Sequence, residues 1–91
     1  MKEIIMFEQL NCPYCRMAHA LINELKMENK DYENINIKFI DEIANYELAD
    51  SFDYYFVPTF YINNSKVHEG KVNKEIVKKI LDLSLEKSLQ I

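Results

Sequence analysis

The stretch "QLNCPYCRMA", residues 9 to 18, holds both cysteines of the 91-residue chain, Cys12 and Cys15. A C-x-x-C pair suits three kinds of work. It can exchange electrons as a dithiol and disulfide, it can ligate a metal, or it can pack as two small apolar side chains. The sequence on either side decides among them.

Before the pair, Ile4-Ile5-Met6-Phe7 is a short apolar run that reads as a buried central strand. After it, Pro13 suits the first turn of a helix, where its missing N–H costs nothing. From Pro13 to about Asn29, Ala18, Leu21, Ile22 and Leu25 recur at helical spacing. Cys12 therefore falls at a strand-to-helix junction, where free N–H groups and the helix dipole favour an anion. The thiolate is the attacking form of cysteine, so the position favours reactivity, and Arg16 adds positive charge one turn on. Cys15 lies three residues further along the same face and deeper in the helix. In a dithiol exchange the outer sulfur can attack a disulfide, and the inner one can then attack the mixed disulfide and release the product.

Working outward, Ile35, Ile37 and Phe39 alternate with Asn36 and Lys38, the period of a strand that Ile40 ends. Ile43, Ala44, Leu48 and Phe52 predict a second, shorter helix with Asp41 at its N-cap. Phe60-Tyr61-Ile62, the turn Asn63-Asn64-Ser65 and Lys66-Val67-His68-Glu69 predict a hairpin. Gly70, the only glycine, breaks the chain. Asn73 caps a last helix carrying Ile76, Val77, Ile80, Leu81 and Leu85. The order is βαβαββα: an α/β domain with a four-stranded mixed sheet flanked by helices, expected as a single domain over residues 1–91. The first βαβ unit implies a parallel pair.

The bulk properties exclude several classes. With 48% apolar residues the chain folds, and two cysteines do not make a disulfide-stapled secreted module. A net charge of −4 without a clustered basic face argues against nucleic acid. The segment Met1–Phe7 reads as too short and too acidic nearby for a signal peptide, and no apolar run reaches the roughly 18 residues of a membrane span. A cytoplasmic, membrane-free monomer is expected. In that compartment a C-x-x-C is catalytic or metal-binding rather than a structural crosslink. Cys12, Cys15 and His19, at i, i+3 and i+7, share a helix face and offer zinc or a shared iron–sulfur cluster three ligands. No second ligand pair is visible, so no metal is expected.

Cys12-Pro13-Tyr14-Cys15 after a first strand, Val57-Pro58 before a later one and Gly70 after a hairpin together resemble the glutaredoxins, within the thioredoxin-fold superfamily. The resemblance covers nearly the whole chain in element order. It implies a thioredoxin-like fold and a thiol–disulfide oxidoreductase with Cys12 as nucleophile and Cys15 as resolving thiol. It implies a cis Pro58 beside the cysteines, with the Val57 backbone pairing a bound thiol substrate. Pro13, Tyr14, Gln9 and Gly70 complete the expected substrate site. No bound cofactor is needed; glutathione is the expected electron donor, and glutathione mixed disulfides or protein disulfides are the substrates.

The sequence departs from that family in two places. Gln9 stands where a lysine is common, and Glu8 and Glu69 put negative charge where glutathione's carboxylates are expected, with Lys71 and Lys74 available to offset it. The runner-up is a thioredoxin-like protein fed by a flavin reductase. Thioredoxins, however, usually carry a buried aspartate where this chain has Met6, and a Trp-Cys-Gly-Pro-Cys motif.

Overall fold

Alternation along the first strand sets the layers. The computed structural model describes residues 2–86; Met1 and residues 87–91, part of the domain expected over 1–91, lie outside them. In β1 (Ile4–Glu8), Ile4 and Met6 face one side of the sheet and Phe7 the other. Helices α1 (Pro13–Glu28) and α3 (Lys74–Leu85) cover the first side, and α2 (Tyr46–Asp50) the second. Strands β2 (Ile37–Asp41), β3 (Thr59–Ile62) and β4 (Ser65–Glu69) complete a sheet of order β2-β1-β3-β4. β1 pairs parallel with β2 and antiparallel with β3, and β3 pairs antiparallel with β4. This is the βαβαββα order and mixed sheet predicted above.

The larger core joins Ile4 and Met6 to Phe60 and Ile62 of β3, Ala18, Ile22 and Leu25 of α1, and Val77, Ile80 and Leu81 of α3. Met6 is fully buried there. The smaller core, on the opposite face, joins Phe7, Ile40, Ala49 and Tyr61, with Phe52 and Tyr54 packed against it. Its aromatic rings lie 4.8 to 6.0 Å apart, in tilted, stacked and edge-on pairs.

Local chemistry fixes the turns. Asn63 and Asn64 take φ of 51° and 66°, the pair of positive values a two-residue hairpin needs and asparagine tolerates. Ser65, expected in the turn, begins β4 instead. The Asn73 side chain accepts from the Ile76 N–H at 2.8 Å and so caps α3.

The middle of the chain differs from its sequence pattern. A 3-10 turn at Lys30–Tyr32 precedes β2, so Ile35 is buried before the strand begins. Phe39 is 41% exposed while Ile40 is buried, the reverse of the expected alternation. β2 is an edge strand, and Phe39 stacks on the His19 ring of α1 with centroids 4.4 Å apart. Ile40, opposite Phe7 in register, supplies the smaller core. The second helix begins later than expected, with Asn45 at its N-cap. Asp41 instead accepts from the Ile43 and Ala44 N–H groups at 2.9 and 3.4 Å, a side-chain turn that ends β2.

Candidate functional site

Cys12 is the N-cap of α1, with extended backbone, and Pro13 occupies the first turn. In that position its sulfur accepts a hydrogen bond from the Cys15 N–H at 3.1 Å, as a capping side chain does. The Cys12 carbonyl accepts the first helical bond, from Arg16 N–H at 3.0 Å. Cys12 is half-buried and Cys15 buried, and both are free thiols. The difference in exposure follows from helix geometry: the cap residue faces the loop, and the residue one turn in faces the core.

Burial, followed by its hydrogen bond with Cys12, pushes the Cys15 thiol up to about 12. The inner sulfur is therefore held protonated, and the outer one is left as the accessible nucleophile.

A second loop closes over the pair. The Val57–Pro58 peptide is cis, and Pro58 is buried. The Val57 carbonyl oxygen lies 3.9 Å from Cys12 Sγ, close enough to accept from the thiol. Gly70, at φ +94°, donates its N–H to the Pro58 carbonyl at 2.7 Å. That φ is open to glycine and strained for other residues. Lys71 then places its ammonium 5.5 Å from the centre of the Tyr14 ring, a cation–π distance. Cys12, Pro13, Tyr14, Cys15, Val57, Pro58 and Gly70 thus gather at the C-terminal end of β1 and the start of β3.

The remaining expected residues are placed differently. The Gln9 amide donates to Glu42, which also accepts from the Tyr54 hydroxyl at 2.6 Å. Burial and this carboxylate raise the Tyr54 hydroxyl above its ordinary range. Lys74 is bound by Glu24 and Glu28 at 2.5 and 2.8 Å on the far turns of α1. His19 is turned to Glu8, with Nε2 and Oε1 2.7 Å apart. Among the described residues, no group of three or more His, Cys, Asp or Glu side chains is placed to hold a metal ion.

The aromatic stretch Phe52, Tyr54, Tyr55 and Phe56 lies directly before the cis peptide. The structure divides it. Phe52 and Tyr54 pack on the smaller core, and Tyr55 and Phe56 are 86% and 68% exposed beside the cis peptide.

Glu69 grips that loop, a contact that no local sequence pattern signals. Glu69 Oε2 accepts from the Tyr55 and Phe56 N–H groups at 2.6 and 3.0 Å, and Oε1 accepts from Lys66 at 2.6 Å. Lys66 and these two backbone amides hold the Glu69 carboxyl down to about 2. Lys66 also donates to the Asp53 carbonyl at 3.1 Å, and the Tyr61 hydroxyl to the same oxygen at 2.7 Å. No helix among the described residues is long and apolar enough to cross a membrane.

Comparison with known proteins agrees with this geometry. A family model described as a thioredoxin domain matches residues 2–82. None of the curated proteins matches. Among solved structures, a malarial protein is similar at 20% identity and a TM-score of 0.71, over 94% of this chain and 99% of that one. Oxidised thioredoxin from Plasmodium falciparum is similar at 21% identity and 0.68, over 90% of this chain and 79% of that one. A mutant thioredoxin from Halobacterium salinarum gives 20% and 0.69, over 97% and 78%. At such identities the likeness to these structures is one of fold. The thioredoxin-like fold, the two close cysteines and the match over most of its length agree: the chain belongs to the thioredoxin domain family.

Proposed function

We propose that the protein is a thiol–disulfide oxidoreductase of glutaredoxin type, working by dithiol exchange through Cys12 and Cys15. The observation that carries this reading is the pairing of a half-buried sulfur at a helix cap with a buried thiol one turn in, whose N–H points at it. In the first step the Cys12 thiolate attacks a disulfide, forms a mixed disulfide and expels one thiolate. In the second, Cys15 loses its proton and attacks Cys12 Sγ. The Cys12–Cys15 bond forms, the mixed disulfide breaks and the second thiol leaves. The two cysteines are oxidised and the substrate disulfide is reduced.

Pro13, Tyr14, Val57, Pro58 and Gly70 frame the substrate, and the Val57 backbone is the edge along which it lies. Glutathione is the electron donor on this reading, no resident cofactor takes part, and the protein works as a cytoplasmic monomer. The test is glutathione-dependent reduction of a small mixed disulfide, with glutathione reductase recycling the donor. Robust turnover that disappears in Cys12→Ser supports the reading. Activity retained in Cys12→Ser would sink it.

A second reading has one observation in its favour. Gln9 and Lys74 are spent on acidic neighbours, and Glu69 fills the amides of the loop, so few groups remain for the carboxylates of glutathione. A folded, reducible protein without glutathione turnover would be a thioredoxin-like protein reduced by a flavin reductase.

A further inference from the structure

Two consecutive backbone N–H groups and an ammonium converging on one point make a cradle for an anion. The Tyr55 and Phe56 amides and Lys66 Nζ form such a cradle one residue from Val57, whose carbonyl touches Cys12. It lies at the lip of the site. Residues 69 to 71 border it on one side, and Lys71 reaches from there over Tyr14. The cradle is already full, because the protein's own Glu69 carboxylate makes all three bonds.

We propose that Glu69 is a specificity-determining residue: its carboxylate occupies the place that a substrate carboxylate would otherwise take, so the site gives no preference to disulfides that carry an acid group beside the reacting sulfur. The inference rests on the dithiol-exchange reading and adds the substrate class to it. The substrates it fits are protein disulfides flanked by neutral or apolar residues. Exposed Leu10, Tyr14, Tyr55 and Phe56 on the cysteine loop and the cis-proline loop offer these a matching surface.

The charges give the prediction its sign. Glu69 and Lys66 cancel, so the filled cradle neither attracts nor repels a substrate carboxylate strongly. Removing Glu69 leaves one positive charge and two free amides. Removing Lys66 leaves one negative charge.

The test uses single turnovers of the reduced protein with two mixed disulfides of a chromophoric aromatic thiol. One contains 3-mercaptopropionate and the other its neutral amide. Each rate is divided by that of a simple thiol with the same compound. The wild type should treat the two alike, within about twofold. Glu69→Ala should favour the carboxylate by about tenfold, the gain expected of charge-assisted hydrogen bonds. Lys66→Met should disfavour it by about fivefold, and added salt should shrink this second effect. A merely structural role for Glu69 would slow both substrates together and leave the ratio unmoved.

The same ratio in all three proteins would overturn the proposal, as would a wild type that already prefers the carboxylate tenfold. If Glu69→Ala does not fold, the wild-type ratio and the opposite shift in Lys66→Met decide. A reduced wild type that reacts with neither compound would overturn the dithiol-exchange reading, and this proposal with it.

Discussion

The Cys15 N–H points at the sulfur of Cys12 from 3.1 Å, while the Cys15 thiol itself is buried in the larger core. One residue thus serves the other twice, stabilising the outer sulfur through its backbone and waiting beneath it with its side chain. The two roles separate by mutation. Cys15→Ser keeps the backbone N–H and removes the second thiol. It should still reduce glutathione mixed disulfides, which need one sulfur, and should stall on protein disulfides as a trapped Cys12 adduct. Mass spectrometry of the stalled enzyme reads the adduct; equal loss of both activities would assign the roles wrongly.

Burial of Cys15 sets a chemical contrast between two thiols in one short motif. With its thiol raised to about 12, roughly one Cys15 in 10⁴ to 10⁵ is thiolate at pH 7.5, and only the thiolate alkylates. Iodoacetamide at that pH should modify Cys12 and leave Cys15 untouched in the folded protein. Peptide mapping after brief labelling checks this, and comparable labelling of both would contradict it. The same shift has a consequence for stability. The folded value lies above the unfolded one, so the contribution is present below about pH 9 and declines as pH rises toward 12. Cys15→Ser should flatten that alkaline limb.

What was legible in the sequence was local. Pro13 after Cys12 marked the helix start, Asn73 marked another, and two asparagines marked the hairpin, because each acts on backbone a few residues away. The element order followed, and with it the position of the cysteines. What was hidden depended on packing. Phe39 and Ile40 exchange the faces expected of them because an edge strand lets Phe39 stack on His19 of α1. Asp41 looks like a cap and ends a strand instead. Glu69 reads as an unwanted negative charge until the fold brings it to amides 13 and 14 residues back in the chain. No periodicity announces that contact.

The cap on α3 gives a prediction independent of the chemistry. Asn73→Ala removes the acceptor for the Ile76 N–H and should cost about 1 kcal/mol of unfolding free energy. Asn73→Asp should retain most of it. Urea unfolding of the three proteins separates these outcomes, and an unchanged midpoint for the alanine variant would show that solvent replaces the cap without loss.

Gly70 separates conformational cost from steric cost. A Cβ built there meets nothing nearer than Phe56 Cβ at 3.9 Å, an ordinary contact. Gly70→Ala should nevertheless destabilise by about 1–2 kcal/mol, because φ of +94° is unfavourable for any side chain. Relief of strain would swing the Gly70 N–H away from the Pro58 carbonyl, so substrate reduction should slow as well. Full stability in the variant, by chemical denaturation, would mean that the turn rearranges freely.

Glu69 makes the acid limb of stability a readout of the loop. Lys66 and the Tyr55 and Phe56 amides hold its carboxyl down to about 2, while in the unfolded chain it titrates near 4.5. A depressed carboxyl stabilises the fold above its unfolded value and loses that contribution as pH falls toward the folded value. Stability should therefore decline between about pH 4.5 and pH 2 as the carboxylate is protonated and the loop is released. In Glu69→Gln there is no proton to take up at this position, so the decline over that interval should be shallower than in the wild type. The difference belongs to one residue, because both proteins share every other carboxylate. Urea midpoints collected from pH 6 down to pH 2 measure it directly. Parallel curves would mean that the carboxylate seen bound to two amides and a lysine contributes nothing that protonation can remove.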